Sequence, residues 1–188
     1  MQTNVKKWTV GSPIQAPLDA LEILRKKHPW EPDQVQKVVV RVATSEAKTV
    51  NNRDMPDISM QHMIAIMLLD KTASFAAAHD KARMKDPAVL RQRAKVQLVP
   101  DAELERLYPR RIGVVEVTLT DGTRLTERVE AVRGTTGNPM PREEIIAKSQ
   151  DLMAPFLGAA KCKRLIDEVF DLEHLKDIRT LRPLLQRA

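Results

Sequence analysis

The sequence predicts an α+β protein: a mostly antiparallel sheet of about four strands with helices packed on it, then a C-terminal helical segment. Three observations carry this. Ile112–Thr120 and Thr123–Val132 alternate apolar and polar residues around Asp121-Gly122, the signature of a β-hairpin with a two-residue type I′ turn. Val35–Ala43 is β-branched, with Val38, Val40 and Val42 on one face and Lys37 and Arg41 on the other. Beyond Gly134-Thr135-Thr136-Gly137-Asn138-Pro139, every apolar pattern has a helical period.

Taken in order, the first 16 residues contain Gly11 and Pro13 and read as an irregular arm. Ile14, Leu18, Leu21 and Leu24 then mark an amphipathic helix to about Lys27, with Pro17 in its first turn and His28-Pro29 ending it. After the Val35–Ala43 strand, residues 44–57 are polar and read as a long loop. Ser59 is placed to cap a helix to Leu69, and Met63–Leu69 is apolar at every position, so this helix is buried on all sides and central. A short Ala-rich turn, Phe75–His79, follows. Asp86-Pro87 opens a helix to about Ala94, Val96 and Leu98 mark a short strand, and Asp101 caps a helical turn to Leu107. Past the hairpin, Ile145, Ile146, Leu152, Met153 and Phe156 line one helix ended near Pro155–Gly158. Leu165, Ile166, Val169 and Phe170 line a second, and Leu181, Leu184 and Leu185 a short third. The composition shift divides the chain into an α+β domain, 1–135, and a helical segment, 136–188. Those late helices cannot bury their apolar faces alone and must pack on the sheet domain, on a second copy or on another helical partner.

Composition removes several classes. No stretch approaches the roughly 18 apolar residues of a membrane span. The N-terminus lacks the apolar run of a secretion signal, and the single cysteine, Cys162, fits a reducing, cytoplasmic compartment. One Cys and four scattered His give no metal-ligand spacing, so no metal is expected. The net charge of +6 admits nucleic acid, anionic substrates or a plain solvated basic surface. Arg91, Arg93, Lys95 and Arg110-Arg111 are the basic groups for a nucleic-acid patch, but no aromatic residues interleave with them for stacking. No nucleic-acid or membrane partner is expected.

No phosphate-binding Gly-rich loop, His-Glu-x-x-His or Gly-x-Ser-x-Gly motif is present. The remaining candidates are polar residues in unusual settings. His62, at the head of the buried helix, suits a general acid or base, and equally a histidine hydrogen-bonded inside the core. His79 precedes Asp80 and suits a carboxylate-oriented imidazole, or a C-terminal histidine favoured by the helix dipole. Lys6 and Lys7 form a basic point beside Trp8 on the arm, or a solvated terminus. Arg53 in the long loop suits a bidentate carboxylate clamp, or a surface position.

One stretch carries a resemblance. Asn52-Arg53-Asp54-Met55-Pro56-Asp57-Ile58-Ser59-Met60-Gln61-His62, followed by Met67-Leu68-Leu69-Asp70, is similar to the second-domain signature of the MmgE/PrpD family. Val5-Lys6-Lys7-Trp8 and Gln15–Ala20 resemble the opening of that domain, Thr118–Thr123 its hairpin, and Asn138–Glu144 the start of the helix that follows. The resemblance implies a lid-like α+β domain that in the family closes over a large helical domain, with the active site in the cleft between them. It implies cofactor-free eliminations, decarboxylations or epimerisations of di- or tricarboxylic acids. It also implies that this chain starts after the helical domain, which holds most of the acid–base residues. The expected partner is then a separate helical domain or a second copy, and the isolated chain is expected to be inactive.

Residue by residue, Lys6 stands where the decarboxylase branch has a cleft lysine, and His62 where it has a tyrosine. Gly11 replaces a histidine of that branch, and Gln15 is the nearest polar substitute. Lys6 and His62 are therefore the expected catalytic residues, and Lys7, Gln15, Arg53 and His79 the expected substrate-binding ones. The competing readings are a stand-alone dimerisation domain and, last, a nucleic-acid binder.

Overall fold

The computed structural model describes residues 3–186. The chain divides into two compact units, Met1–Pro139 and Met140–Ala188. The first holds the sheet, and its strands are β1 (Val35–Ala43), β2 (Val96–Asp101), β3 (Gly113–Leu119) and β4 (Arg124–Val129). Their order is β2-β1-β3-β4. β1 pairs antiparallel with β3, and β3 with β4, but β1 and β2 run parallel. The sheet is therefore mixed. The helices between β1 and β2 form a crossover, and a crossover returns the chain in the same direction.

The main core lies on one face. Val38, Val40 and Val42 of β1 and Val115 and Val117 of β3 are buried there with helices α1 (Ser12–Lys27) and α3 (Met60–Asp70). α1 lies on β3 and β4, and α3 packs on α1, β2 and α5 (Pro87–Arg93). In α3, Met60 through Leu68 are buried without exception, as expected of a helix apolar on every side. On the opposite face, at one end, Leu104 of α6 (Ala102–Arg106) joins Ala43, Ile112 and Val114.

Several expectations are corrected. The polar stretch after β1 contains α2 (Thr44–Val50) and a 3-10 turn, Pro56–Ile58. Polarity hid the helix because its buried stripe is only Glu46, Ala47 and Val50. Phe75–His79 is a helical turn, α4, capped by the Ser74 hydroxyl accepting from the Ala77 N–H at 3.1 Å. Ser59 occupies the N-cap position of α3, but its hydroxyl makes no capping bond. α1 starts before Ile14, so Pro17 falls inside the helix rather than in its first turn. The hairpin turn is not type I′, since only Gly122 has a positive φ, at 88°. Leu119 receives the Gly122 N–H and donates to Thr123, giving a three-residue loop in which Gly122 takes the left-handed position.

In the second unit, α7 (Arg142–Leu157) runs through Pro155 and ends at Gly158, whose φ is 78°. α8 (Ala159–Phe170) and α9 (Arg182–Leu185) follow. Leu157, Leu165, Leu181 and Leu184 form a small core of the unit's own.

Gly113 shows how closely α1 approaches the sheet. A Cβ there would lie 2.8 Å from Pro17 Cδ and 2.9 Å from Pro17 N. A rigid ring and backbone cannot yield as a flexible side chain can, so Gly113→Ala should cost about 2 kcal/mol of stability. Urea denaturation checks this, and an unchanged midpoint would mean that α1 does not seat on β3 in this way.

Candidate functional site: two adjoining clefts at the head of α1

The arm before α1 is fastened by buried polar bonds. The Gln15 amide donates to the carbonyls of Trp8 (2.8 Å) and Val10 (3.1 Å), and its oxygen accepts the Trp8 N–H at 3.2 Å. Trp8 Nε1 donates to Asp19 at 2.8 Å, and the second Asp19 oxygen accepts the Arg133 N–H at 2.7 Å. Burial pushes the Asp19 carboxyl above its usual range against these donors. Arm, helix and the segment after β4 are thereby joined at one carboxylate.

Two concavities open beside this junction. The larger, about 600 Å3, is lined by Gly11, Ser12, Ser45, Glu46, Thr49, Glu105, Tyr108 and Arg111 among others. The second, about 500 Å3, is lined by Lys6, Ser12, Gln15, Arg110, Arg111, Glu130 and Thr135 among others. Ser12 and Arg111 line both. Ser12 opens the 16-residue helix α1, whose first turn holds no acidic residue, so the positive end of the helix dipole faces the clefts.

Arg111 is held by Glu46 at 2.5 Å and lies over the Tyr108 ring at 5.9 Å. Only 4% of the Glu46 side chain is exposed, and burial raises its pKa against the pull of Arg111. Arg110 pairs with Glu130 at 2.8 Å. Glu105 accepts both the N–H and the hydroxyl of Ser45, and the backbone N–H first of all holds its pKa down. Lys6 Nζ reaches the Val10 carbonyl at 3.3 Å. Lys6, Arg110 and Arg111 at a helix N-terminus offer groups that can hold a carboxylate, with Glu46, Glu105 and Glu130 balancing their charge.

The residues singled out in the sequence disperse. Lys6 and Gln15 reach the second concavity, although both faces of the Gln15 amide are committed to the arm. Lys7 instead pairs with Glu22 at 2.6 Å and lies over the Trp8 ring. Arg53 donates to the carbonyls of Thr49 (2.8 Å) and Lys48 (2.9 Å), so it caps the end of α2 and clamps no carboxylate. His79 Nδ1 lies 2.9 Å from the Phe75 carbonyl, while Asp80 accepts from Ala82 rather than orienting the imidazole.

His62 lies inside the core, as one of its two readings held, but without the hydrogen bond expected there. It is fully buried, lines neither concavity, and neither ring nitrogen has a hydrogen-bond partner. Burial lowers its pKa to about 4, with Arg93 and Arg83 adding to the effect. It stands in the first turn of α3, ahead of the buried apolar run Met63–Leu68, and lies inside that buried layer. The groups that sequence reasoning missed are Ser12, Glu46 and Tyr108, together with Arg111 in this role. The Arg110-Arg111 pair was visible, but its companions come from distant elements. Among the described residues, no group of three or more His, Cys, Asp or Glu is placed to hold a metal ion. No helix of the described residues is long and apolar enough to cross a membrane.

Fold and site together define an α+β domain with two adjoining clefts, lined by paired arginines and glutamates, beside a helix N-terminus. The family model for the MmgE/PrpD C-terminal domain matches residues 8–172, and the chain belongs to that family. Cis-aconitate decarboxylase of Aspergillus terreus (strain NIH 2624 / FGSC A1156) is 24% identical over 199 residues, covering 97% of this chain and 40% of that protein. The Mus musculus cis-aconitate decarboxylase is 27% identical over 164 residues, covering 82% of this chain and 32% of that protein. The chain thus spans well under half the length of these relatives.

The burial of His62 has a signed consequence. The unfolded chain takes up the His62 proton near pH 6.5, whereas the folded chain resists until about pH 4. Stability should therefore fall as pH drops through that window, by about 3 kcal/mol in all. His62→Leu should remove this dependence while costing little at pH 7, because no hydrogen bond is lost. Denaturant melts of both proteins from pH 7 to 4 check it, and parallel pH profiles would show that His62 titrates normally.

Proposed function

We propose that this chain is the lid portion of a MmgE/PrpD-type lyase or isomerase acting on di- or tricarboxylic acids, dehydratase-like and cofactor-independent, and inactive without a helical domain. The observation that carries this reading is the convergence of Lys6, Arg110, Arg111 and the head of α1 on adjoining concavities. In such reactions, loss of a proton or of carbon dioxide beside a carboxylate leaves negative charge on the carboxylate oxygens. Fixed cations stabilise that charge as it develops. Arg111 supplies a planar fork for one carboxylate, and Glu46 holds the guanidinium in place from behind. Lys6 supplies a point charge for another, its Nζ steadied by the Val10 carbonyl. Gly11 lines the cleft where the decarboxylase branch has a histidine, so the acid–base groups must come from elsewhere. Elimination or epimerisation suits the cleft better than decarboxylation for that reason.

Titration of the chain with cis-aconitate and citrate, followed by backbone amide shifts, tests the reading. Saturable shifts at Lys6, Ser12 and Arg111 are expected, with about tenfold weaker binding in Lys6→Ala and Arg111→Ala. The chain alone should not turn these acids over. Binding unaffected by both substitutions, or turnover by the chain alone, would overturn the proposal.

A stand-alone dimerisation domain is the second reading. It is favoured by the exposed apolar side chains of the second unit: Phe156, Val169, Phe170, Leu172, Ile178 and Leu185. Sedimentation at tens of micromolar should show a dimer or larger assembly that Val169→Glu with Leu172→Glu reduces to monomer. A monomeric wild-type chain would remove this reading.

A further inference from the structure

Many cations of the first unit already have a carboxylate. Lys7 pairs with Glu22, Lys27 with Glu127, Arg83 with Asp70, Arg110 with Glu130 and Arg111 with Glu46. A third concavity, remote in the sheet from the α1 clefts, departs from this pattern. Lys37, Thr118 and Arg124 stand in cross-strand register on β1, β3 and β4. Their neighbours Val38, Val117 and Leu125 face the main core, so strand alternation turns these three to the other face. With Lys95 just before β2 and Gln97 within it, they line a cleft of about 550 Å3.

No Asp or Glu lines this cleft. Among the described residues neither Lys37 nor Arg124 makes a side-chain hydrogen bond or ion pair. Lys95 is tethered, its Nζ donating to the Pro32 carbonyl at 3.1 Å. The nearest acidic position of the same sheet face, Glu116, lies in register with Val39 and Thr126, one row away, and forms no ion pair with either cation. Lys37 and Arg124 are two strands apart, so about 10 Å separates their backbones, a span that two long side chains close around a small ion. Lys37, Thr118 and Arg124 line the middle of this cleft in one cross-strand row, with Lys95 and Gln97 at its β2 side. Unneutralised like charges in a concavity repel one another, and a divalent anion placed between them reverses the sign of that energy.

We propose that this cleft is a phosphate-binding site, taking inorganic phosphate or the terminal group of a phosphomonoester. A tetrahedral dianion takes Lys37 and Arg124 directly, with Thr118 donating to a further oxygen and Lys95 adding charge from the side of the cleft. The site is distinct from the α1 clefts in position and residues, so its test does not depend on the carboxylate reading.

The test titrates the full chain with inorganic phosphate, AMP and citrate at constant ionic strength, followed by backbone amide shifts. Saturable shifts at Lys37, Gln97, Thr118 and Arg124 are expected with phosphate. The Lys37→Gln, Arg124→Gln double variant should weaken them by about tenfold or more, with the rest of its spectrum unchanged. Tighter binding of AMP than of phosphate assigns a phosphomonoester, and equal binding assigns free phosphate. Shifts that do not saturate, equal affinity in the double variant, or citrate binding here as tightly as phosphate would overturn the proposal. Citrate shifts centred on Lys6 and Arg111 alone leave it standing.

Discussion

The carboxylate of Asp19 is the constraint on which the rest of this domain depends. It sits inside α1, almost without exposure, and accepts from Trp8 in the arm and from the Arg133 backbone beyond β4. Two chain segments more than a hundred residues apart are thereby fixed to one turn of helix. A buried carboxylate is costly unless its oxygens are occupied, and leaving either donor unpaired would strand the charge. Gln15, one turn earlier, fastens the same arm through three further bonds. Lys6 is brought to the cleft wall because the arm has nowhere else to lie.

The same arrangement sets the electrostatics of the clefts. The head of α1 faces them because Pro17 rests on Gly113 and the helix lies flat on β3 and β4. Arg111 arrives from the chain just before β3, and Glu46 from the first turn of α2. Their ion pair bridges elements far apart in sequence and gives the guanidinium a fixed side and a free side. Burying Glu46 costs more than a surface carboxylate would, and Arg111 offsets that cost. On the sheet's other face no such balancing occurs around Lys37 and Arg124. One basic chain thus carries neutralised clefts and one that is not.

Much of the fold was legible because its signals are local. The hairpin follows from alternation around Asp121-Gly122, and α3 from an unbroken apolar run. α5 follows from Asp86-Pro87, with the Asp86 side chain accepting from Ala88 as a cap should. Family membership was legible too, because the order of the short motifs survives even at 24% identity. The misreadings share a cause. α2 is polar on three sides and stable only because Glu46, Ala47 and Val50 find partners in the tertiary structure. Arg53 looked like a free clamp because the helix end whose carbonyls it caps was not recognised.

The sequence by itself determined the α+β class, the run of helices that follows the hairpin, the family and the basic character of the surface. These rest on period, composition and motif order, which neighbouring residues encode. Only the tertiary structure decided the parallel pairing of β1 with β2, the burial of His62 and the company kept by Arg111. Each depends on which distant surfaces meet. A histidine at the head of an apolar helix reads alike whether it faces a cleft or a core, and packing alone sends it into the core.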